Sequence, residues 1–327
     1  MVDRCRPAAR SGASRAGSAR VCRWPAPGSA ACAAALCLLT SRPSLAAPAA
    51  GRTAAADDQT PAPSFLSDVN SLKFEVGAIF TVLSVTGFMD WKWGTASFRF
   101  NPEGWFGMHT GSGGQDKVGH GFSSYLMTEF FYLRLRDHYG LSRPASLVPP
   151  VASFVLMNYV EMFDGFSVDH GYSYEDLTTD SIGITLSFAR ALYPPLRDVI
   201  DFRMEYFPSP GVDGWHALTD YSGQKFLLAL KGAGLSMHNR SPLRYTELLV
   251  GYYTRGFMDT DAPYYPEKVR RLFVGVGLNL EYTARDLLGI PDGYPGSTID
   301  WAVSPTRYFQ IAGSHPEAVV HERRAPP

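Results

Sequence analysis

The amino-acid sequence predicts an α+β protein. An N-terminal helical domain with three or four packed helices (65–195) precedes an antiparallel, aromatic-rich β-sheet (196–312). Two observations predict this order. Apolar segments of helical length, bounded by capping serines, prolines and glycines, fill the first region. After it, apolar and charged residues alternate with the period of two that is typical of strands.

The first 46 residues resemble a secretory signal peptide with a long basic lead. An arginine-rich stretch up to Arg23 precedes the short apolar core "SAACAAALCLL" and small residues at Ser44 and Ala46, which is typical of cleavage after Ala46. A disordered Ala/Arg-rich leader is the alternative. The four cysteines all lie in this leader, at Cys5, Cys22, Cys32 and Cys37. A mature chain from residue 47 would therefore have no disulfide and no thiol chemistry.

Charge and composition limit the partners. The 30 Lys and Arg residues nearly cancel the 31 Asp and Glu residues, which argues against nucleic acid as a partner. Residues 47–64 are typical of a flexible tether, and residues 313–327 of a disordered tail.

The first helix is predicted over 66–89, with Ser67 or Asp68 as its N-cap. Its uncharged run, 76–89, is shorter than the ~20 residues that span a bilayer, so we expect a buried or interfacial helix. The Trp-, Phe- and Gly-rich segment 90–114 is predicted to be a loop.

The second helix is predicted from near Asp116 to about 139, with Gly140 after it. The third has two prolines in its first turn, at 149 and 150, and ends at residue 163 or 164. The fourth begins at the N-cap Ser173, with Asp176 at the third helical position of a capping box. Four strands are predicted after it, in 199–207, 223–232, 244–257 and 270–283.

Three of these helices each carry a polar pair in apolar surroundings. The pairs are Asp116 with His120, Glu161 with Asp164, and Asp176 with Asp180, and the helix of Asp116 adds Lys117 and Tyr125. Spacings of three or four residues place both members of a pair on one helix face. If the faces converge, the side chains suit a divalent cation or a His–carboxylate acid/base pair. The candidate catalytic residues are His120, Glu161 and Asp164, and the candidate metal ligands are these three with Asp176.

A structural role is the alternative for the same residues. Asp116 suits a helix cap, Asp176 a capping box, and Asp164 an ordinary turn. Lys117 in a first helical turn is slightly unfavourable, so its presence asks for an acidic partner. Glu161 follows an uncharged run that should be buried, and a buried carboxylate needs a partner.

The chain resembles a known family through three motifs that occur in order. They are "W.W...SFRFNPEGWF", "DKVGHGFSSY" and "EMFDGFSVDHGYSYEDLTTDSIG", and they resemble the YfiM-like family of predicted periplasmic lipoproteins, a domain of unknown function, over roughly residues 70–190. The resemblance implies an envelope location and a motif set, but no activity. Lipidation is also implied, although Cys32 follows "GSAA" rather than an aliphatic-led lipobox.

A more distant pattern is similar to VanZ-like membrane proteins. It reads DK-x-x-H, then E, then S-x-x-D-x-x-x-[ND]-x-x-G, and that group usually carries Asn where this chain has Asp180. The two resemblances together imply a motif set of Asp116, Lys117, His120, Glu161, Asp164, Asp176 and Gly183.

We therefore expect an exported protein of the periplasm or outer membrane, whose partners are membrane or envelope components, with homo-oligomerisation a further expectation. In the first interpretation it is not an enzyme: the polar residues lock the helices, and the sheet contacts membrane or partner. The alternative is a metal- or acid/base-dependent hydrolase acting on lipid or cell-wall material through His120 and Glu161. A pore formed by oligomerised strands is a third, minor interpretation.

Overall fold

The structure is a computed structural model. It describes residues 64–138, 140, 145–210, 212, 214, 216–235, 241–261, 263–288 and 308–313. The predicted signal peptide, the tether up to residue 63 and the tail beyond Gly313 lie outside these residues.

Four long helices form the first part of the chain, as predicted. They are α1 (Phe65–Met89), α2 (Gln115–Leu133), α3 (Val148–Asp164) and α4 (Tyr174–Leu192). A π-helical segment, Arg134–His138, continues α2 towards Gly140, which has a positive φ of 64°. The two prolines occupy the first turn of α3, where their missing N–H groups need no partner.

The start and the surroundings of α1 differ from expectation. Ser64 is the N-cap, because its hydroxyl accepts a hydrogen bond from the Ser67 N–H (3.2 Å), so the prediction of a cap at Ser67 or Asp68 is wrong. Of the two alternatives predicted for this helix, buried or interfacial, the buried one is wrong, since only a narrow stripe of α1 is buried. By length and composition alone α1 could cross a membrane, and no other helix in the described ranges passes that test. Its most apolar window has a mean hydropathy of 1.5.

The second part of the chain is a five-stranded antiparallel sheet in the order β1-β2-β3-β4-β5. The strands are β1 (Ile200–Tyr206), β2 (Gln224–Lys231), β3 (Thr246–Arg255), β4 (Val269–Leu278) and β5 (Tyr308–Gly313). The α+β class is therefore confirmed. A short helix α5 (Gly232–Leu235) follows β2, and α6 (Leu280–Leu288) follows β4.

Two details of the sheet were not predicted from the sequence. The last predicted strand, 270–283, is cut short because the Asn279 side chain accepts the Tyr282 N–H (3.0 Å) and starts α6. The fifth strand, β5, was not predicted at all.

The helices meet the sheet through an aromatic contact. Phe122 of α2 packs against Phe202 of β1 and Phe226 of β2, with ring centroids 5.4 and 5.6 Å apart. The alternation predicted for β1 is present, but its charged side is the more buried one. The charged residues therefore need partners inside the protein.

Asp201 of β1 is the buried charged residue that contacts most of these partners. Its carboxylate accepts hydrogen bonds from the Tyr125 hydroxyl of α2 (2.8 Å) and the Arg203 guanidinium (3.0 Å), and it pairs with Arg190 of α4 (3.7 Å) and Lys231 (3.5 Å). Burial acts against the charge, but the three cations and the hydroxyl outweigh it and hold the pKa of Asp201 well below its usual range. Tyr125, a predicted motif residue, thus ties the helices to the sheet.

A close approach of α2 and α4 sets the helix packing. The Ser124 hydroxyl of α2 donates to the backbone carbonyl of Asp180 on α4 (3.0 Å). A Cβ placed on Gly183 would lie 1.9 Å from the carbonyl oxygen of Gly121 and 2.5 Å from the Ser124 hydroxyl oxygen. Gly183, another predicted motif residue, is therefore required for helix contact.

We predict that Gly183→Ala lowers the free energy of unfolding by at least about 1–3 kcal/mol, because backbone atoms of two helices must separate to admit the methyl group. Gly77→Ala is the matched control, since a Cβ there meets nothing within 4 Å in an exposed part of α1. The control should gain about 0.5–1 kcal/mol of helix propensity. Chemical denaturation of both variants measures the difference, and equal effects would contradict the close approach.

We predict that Asp201→Asn destabilises the protein by about 3–5 kcal/mol at neutral pH, because it leaves buried cations without their carboxylate. The folded-state pKa of Asp201 is depressed, so its contribution exists above the unfolded pKa of about 3.9 and is lost as the pH falls below that value. The gap in unfolding free energy between wild type and variant should therefore shrink on acidification. A gap that stays constant between neutral and strongly acidic pH would argue against a charged Asp201.

Candidate functional site

The polar residues predicted from three helices do converge. The start of α2, the end of α3, the start of α4 and the loop before α2 meet in one polar cluster, which contains Glu103, Asp116, Lys117, His120, Glu161, Asp164, Asp176 and Asp180. Six carboxyl groups and two basic side chains thus share one region.

Lys117 lies at the centre of one half of the cluster and is 1% exposed. Its ammonium group contacts one carboxylate oxygen of Asp116 and both carboxylate oxygens of Asp176, each at 2.9 Å, and also pairs with Glu103. Burial lowers the pKa of a lysine, but these three carboxylates outweigh burial and raise it. The acidic partner predicted for Lys117 is therefore a group of three carboxylates.

Sequence reasoning missed Glu103. It lies in the loop "NPEG", where no helical spacing ties it to the other polar residues. Burial raises its pKa to about 7, against the pull of Lys117. The sequence feature that could have indicated Glu103 is Lys117, because a buried lysine in a first helical turn needs acidic partners from outside its own helix.

Asp116 is not the helix cap that the alternative reading proposed. Its backbone N–H donates to the Ser112 hydroxyl oxygen (3.3 Å), and that hydroxyl pairs back with the Asp116 carboxylate. Burial opposes the charge of Asp116, but Lys117 and the Ser112 hydroxyl lower its pKa.

His120 forms the other half of the cluster. Its Nδ1 lies 3.6 Å from Glu161 Oε1 and 3.5 Å from both carboxylate oxygens of Asp180. Burial disfavours the imidazolium, but Asp176 and Asp180 outweigh it and raise the pKa of His120 well above its usual range. The side chain remains 21% exposed, so it connects the buried carboxylates to the surface.

Glu161 of α3 caps the start of α4. Its Oε2 accepts the Ser173 N–H (3.1 Å), while the Ser173 hydroxyl accepts the Asp176 N–H (3.2 Å). The predicted N-cap Ser173 is confirmed, but the reciprocal acceptor is Glu161 of α3 rather than Asp176. The carboxylate of Asp176 is therefore available to Lys117. Burial, with Asp176 and Asp164 nearby, raises the pKa of Glu161 to about 9.

Asp164 contacts the loop before α2. Its Oδ1 accepts the Trp93 indole N–H (2.6 Å), and burial raises its pKa. Trp93 in turn packs on Phe163, with ring centroids 5.1 Å apart. The structure thus brings His120 and Glu161 together, whereas the contact it shows for Asp164 is with the aromatic loop.

Two groups of side chains have donor atoms close enough to share a metal ion. Each has its donor atoms within 4.8 Å of one another: His120, Glu161 and Asp176, and Glu103, Asp116 and Asp176. The ammonium of Lys117 already occupies the centre of the second group.

The polar cluster coincides with the segment that carries a family relationship. Residues 102–192 match the model of a family described as predicted periplasmic lipoprotein (DUF2279). The chain is similar to that family over this segment. The match extends from the loop of Glu103 to the end of α4 and leaves α1 and the sheet outside it. The lipoprotein-family resemblance is therefore confirmed, and the similarity to VanZ-like proteins stays a prediction.

Comparisons with curated proteins and with solved structures add nothing to the family match. No curated protein matches the chain, and no solved structure does.

We predict that Lys117→Met destabilises the protein by about 3–5 kcal/mol, because three carboxylates lose the cation that compensates them. Lys92→Met is the matched control, since Lys92 pairs with Asp169 at 2.6 Å but is 55% exposed. An exposed pair contributes less than about 1 kcal/mol. Denaturant titration distinguishes the two, and a Lys117→Met protein as stable as the control would show that the cluster is not held by this charge.

Proposed function

We propose that this chain is an exported envelope protein that lies against membrane lipid through apolar outer faces, while the polar cluster holds its helices together. One observation carries the proposal: α1 buries its two carboxylates, Asp68 and Glu75, and exposes its large apolar side chains. The family description, a predicted periplasmic lipoprotein, supports the envelope location.

The buried stripe of α1 is its polar side. Asp68 is buried and accepts a hydrogen bond from the Ser146 hydroxyl (2.6 Å), and Glu75 is buried against the Arg134 guanidinium (2.8 Å). Leu72 is the apolar member of this stripe.

The outer surface of α1 carries large apolar side chains beside the exposed Asn70, Lys73 and Thr81. Leu66 and Phe74 are 76% and 75% exposed. The other exposed large apolar residues of α1 are Phe65, Val69, Phe80, Val85, Phe88 and Met89. A helix on the surface of a globular protein has the opposite arrangement, with its polar side outward. Inward carboxylates and outward phenylalanines favour lipid as the neighbour.

The sheet has a similar outer surface. Leu248 of β3 and Leu272, Val276 and Leu278 of β4 are exposed, and the register places them on one face. The opposite face carries Leu227, Ala229, Leu249 and Phe273, which are buried together. A contiguous exposed apolar face of this kind is typical of an interaction surface, and we assign it to the same membrane.

The exposed edge of His120 favours a second candidate function. A metal- or acid/base-dependent hydrolase would use the imidazole, which contacts Glu161 and Asp180 and remains partly exposed. Hydrolysis of lipid or cell-wall material by the purified protein, lost in His120→Ala, would select this candidate. Homo-oligomerisation stays a prediction.

We predict that the exported protein, purified from the envelope of cells that express it, floats with vesicles of phosphatidylethanolamine and phosphatidylglycerol. All four cysteines are replaced by serine in the tested chain, which removes every thiol to which a lipid could be attached. The double variant Leu66→Ser, Phe74→Ser should remain unbound, because both side chains are largely exposed and their loss removes contact with lipid rather than packing.

The matched control is Tyr264→Ser, which removes an exposed aromatic ring outside α1 and outside the apolar sheet face. The control should float like the wild type. A wild type that stays unbound, or a double variant that floats as well as the control, would contradict lipid contact through α1.

A further inference from the structure

We propose that His120, Glu161 and Asp176 form a binding site for a divalent transition-metal ion, with Asp180 beside it. The ion would have one nitrogen and two carboxylate oxygens as protein ligands. This proposal does not depend on membrane contact, since it concerns the interior of the helical part and not its outer surface.

The donor spacing fits an ion better than it fits hydrogen bonds. His120 Nδ1 lies 3.6 Å from Glu161 Oε1, which exceeds the usual 2.7–3.2 Å of a protein hydrogen bond. Two ligands of a tetrahedral metal, each with a bond of about 2.1 Å, lie about 3.4 Å apart. The donor atoms of His120, Glu161 and Asp176 all lie within 4.8 Å of one another, so one ion can reach all three.

An unsatisfied buried atom is a second, independent observation. Asp180 is fully buried, and its Oδ1 accepts no hydrogen bond from any residue that the structure describes. That oxygen lies 3.5 Å from His120 Nδ1, the same nitrogen that faces Glu161. Buried carboxylate oxygens need a partner, and an ion next to this nitrogen would supply it.

The charges of the cluster also call for a cation at this end. Lys117 compensates Glu103 and Asp116 and contacts both carboxylate oxygens of Asp176. Glu161 and Asp180 are left with His120 as the basic side chain within contact distance. A divalent ion would balance them, and Lys117 would hold the shared carboxylate of Asp176 in place.

The ligand set indicates the class of metal. An imidazole with carboxylates is typical of Zn²⁺, Mn²⁺ or Fe²⁺, whereas Mg²⁺ and Ca²⁺ prefer oxygen ligands throughout. The predicted metal set of the sequence analysis is thereby changed in one member: Asp164, whose Oδ1 accepts the Trp93 indole N–H, drops out of it.

The test is elemental analysis of the exported protein, purified without a histidine tag and equilibrated separately with Zn²⁺, Mn²⁺ and Mg²⁺. We expect one Zn²⁺ or Mn²⁺ per chain and no bound Mg²⁺. His120→Ala and Glu161→Gln should each weaken binding by more than about 100-fold, because even the outer-shell partners of metal ligands contribute 10–100-fold. The exposed-loop variant His109→Ala is the matched control and should bind like the wild type.

X-ray absorption of the metal-loaded wild type covers the case in which a ligand variant does not fold. One imidazole and a remainder of oxygen donors around the ion is the expected coordination. A wild type that binds no ion stoichiometrically, an ion without an imidazole ligand, or a folded His120→Ala protein that binds as tightly as His109→Ala would overturn the proposal.

Discussion

The burial of the Lys117 ammonium group is the constraint on which the helical part depends. A charge that is removed from water must be surrounded by opposite charge, and no single element of this chain supplies enough of it. Asp116 comes from the same helix, Glu103 from the preceding loop and Asp176 from α4. The lysine therefore fixes the loop and two helices at one point.

The contacts of Lys117 also determine the position of His120. Since Lys117 holds Asp176, and the start of α4 is closed by Glu161 of α3, the imidazole one turn along α2 is brought against carboxylates from both helices. The residues that hold the helices together are also the candidate ligands and acid/base groups. The polar side chains that stabilise the helix packing are also of the types that bind metal ions or transfer protons. Only the distances between their donor atoms distinguish these roles.

Buried charged side chains and exposed apolar side chains occur in both parts of the molecule. Asp201 gathers three cations under the sheet, just as Lys117 gathers three carboxylates in the helical part. The exposed faces of α1 and β4 are correspondingly apolar. Helix spacing and strand alternation predicted the four long helices, four of the five strands and most of the polar cluster, because all of these depend on local periodicity. The role of Glu103, the reciprocal cap by Glu161 and the inward direction of charge depend on contacts between distant segments, and no local pattern contains them.

The accessibility of the lysines to an amine-acylating reagent tests the buried ammonium most directly. Mass spectrometry of the folded protein after a brief reaction would give the labelled fraction at each lysine. Lys73 and Lys92 are exposed and should react readily, while Lys117, buried and held protonated by three carboxylates, should stay unlabelled until the protein is unfolded. Labelling of Lys117 at the rate of Lys92 in the folded protein would contradict the account.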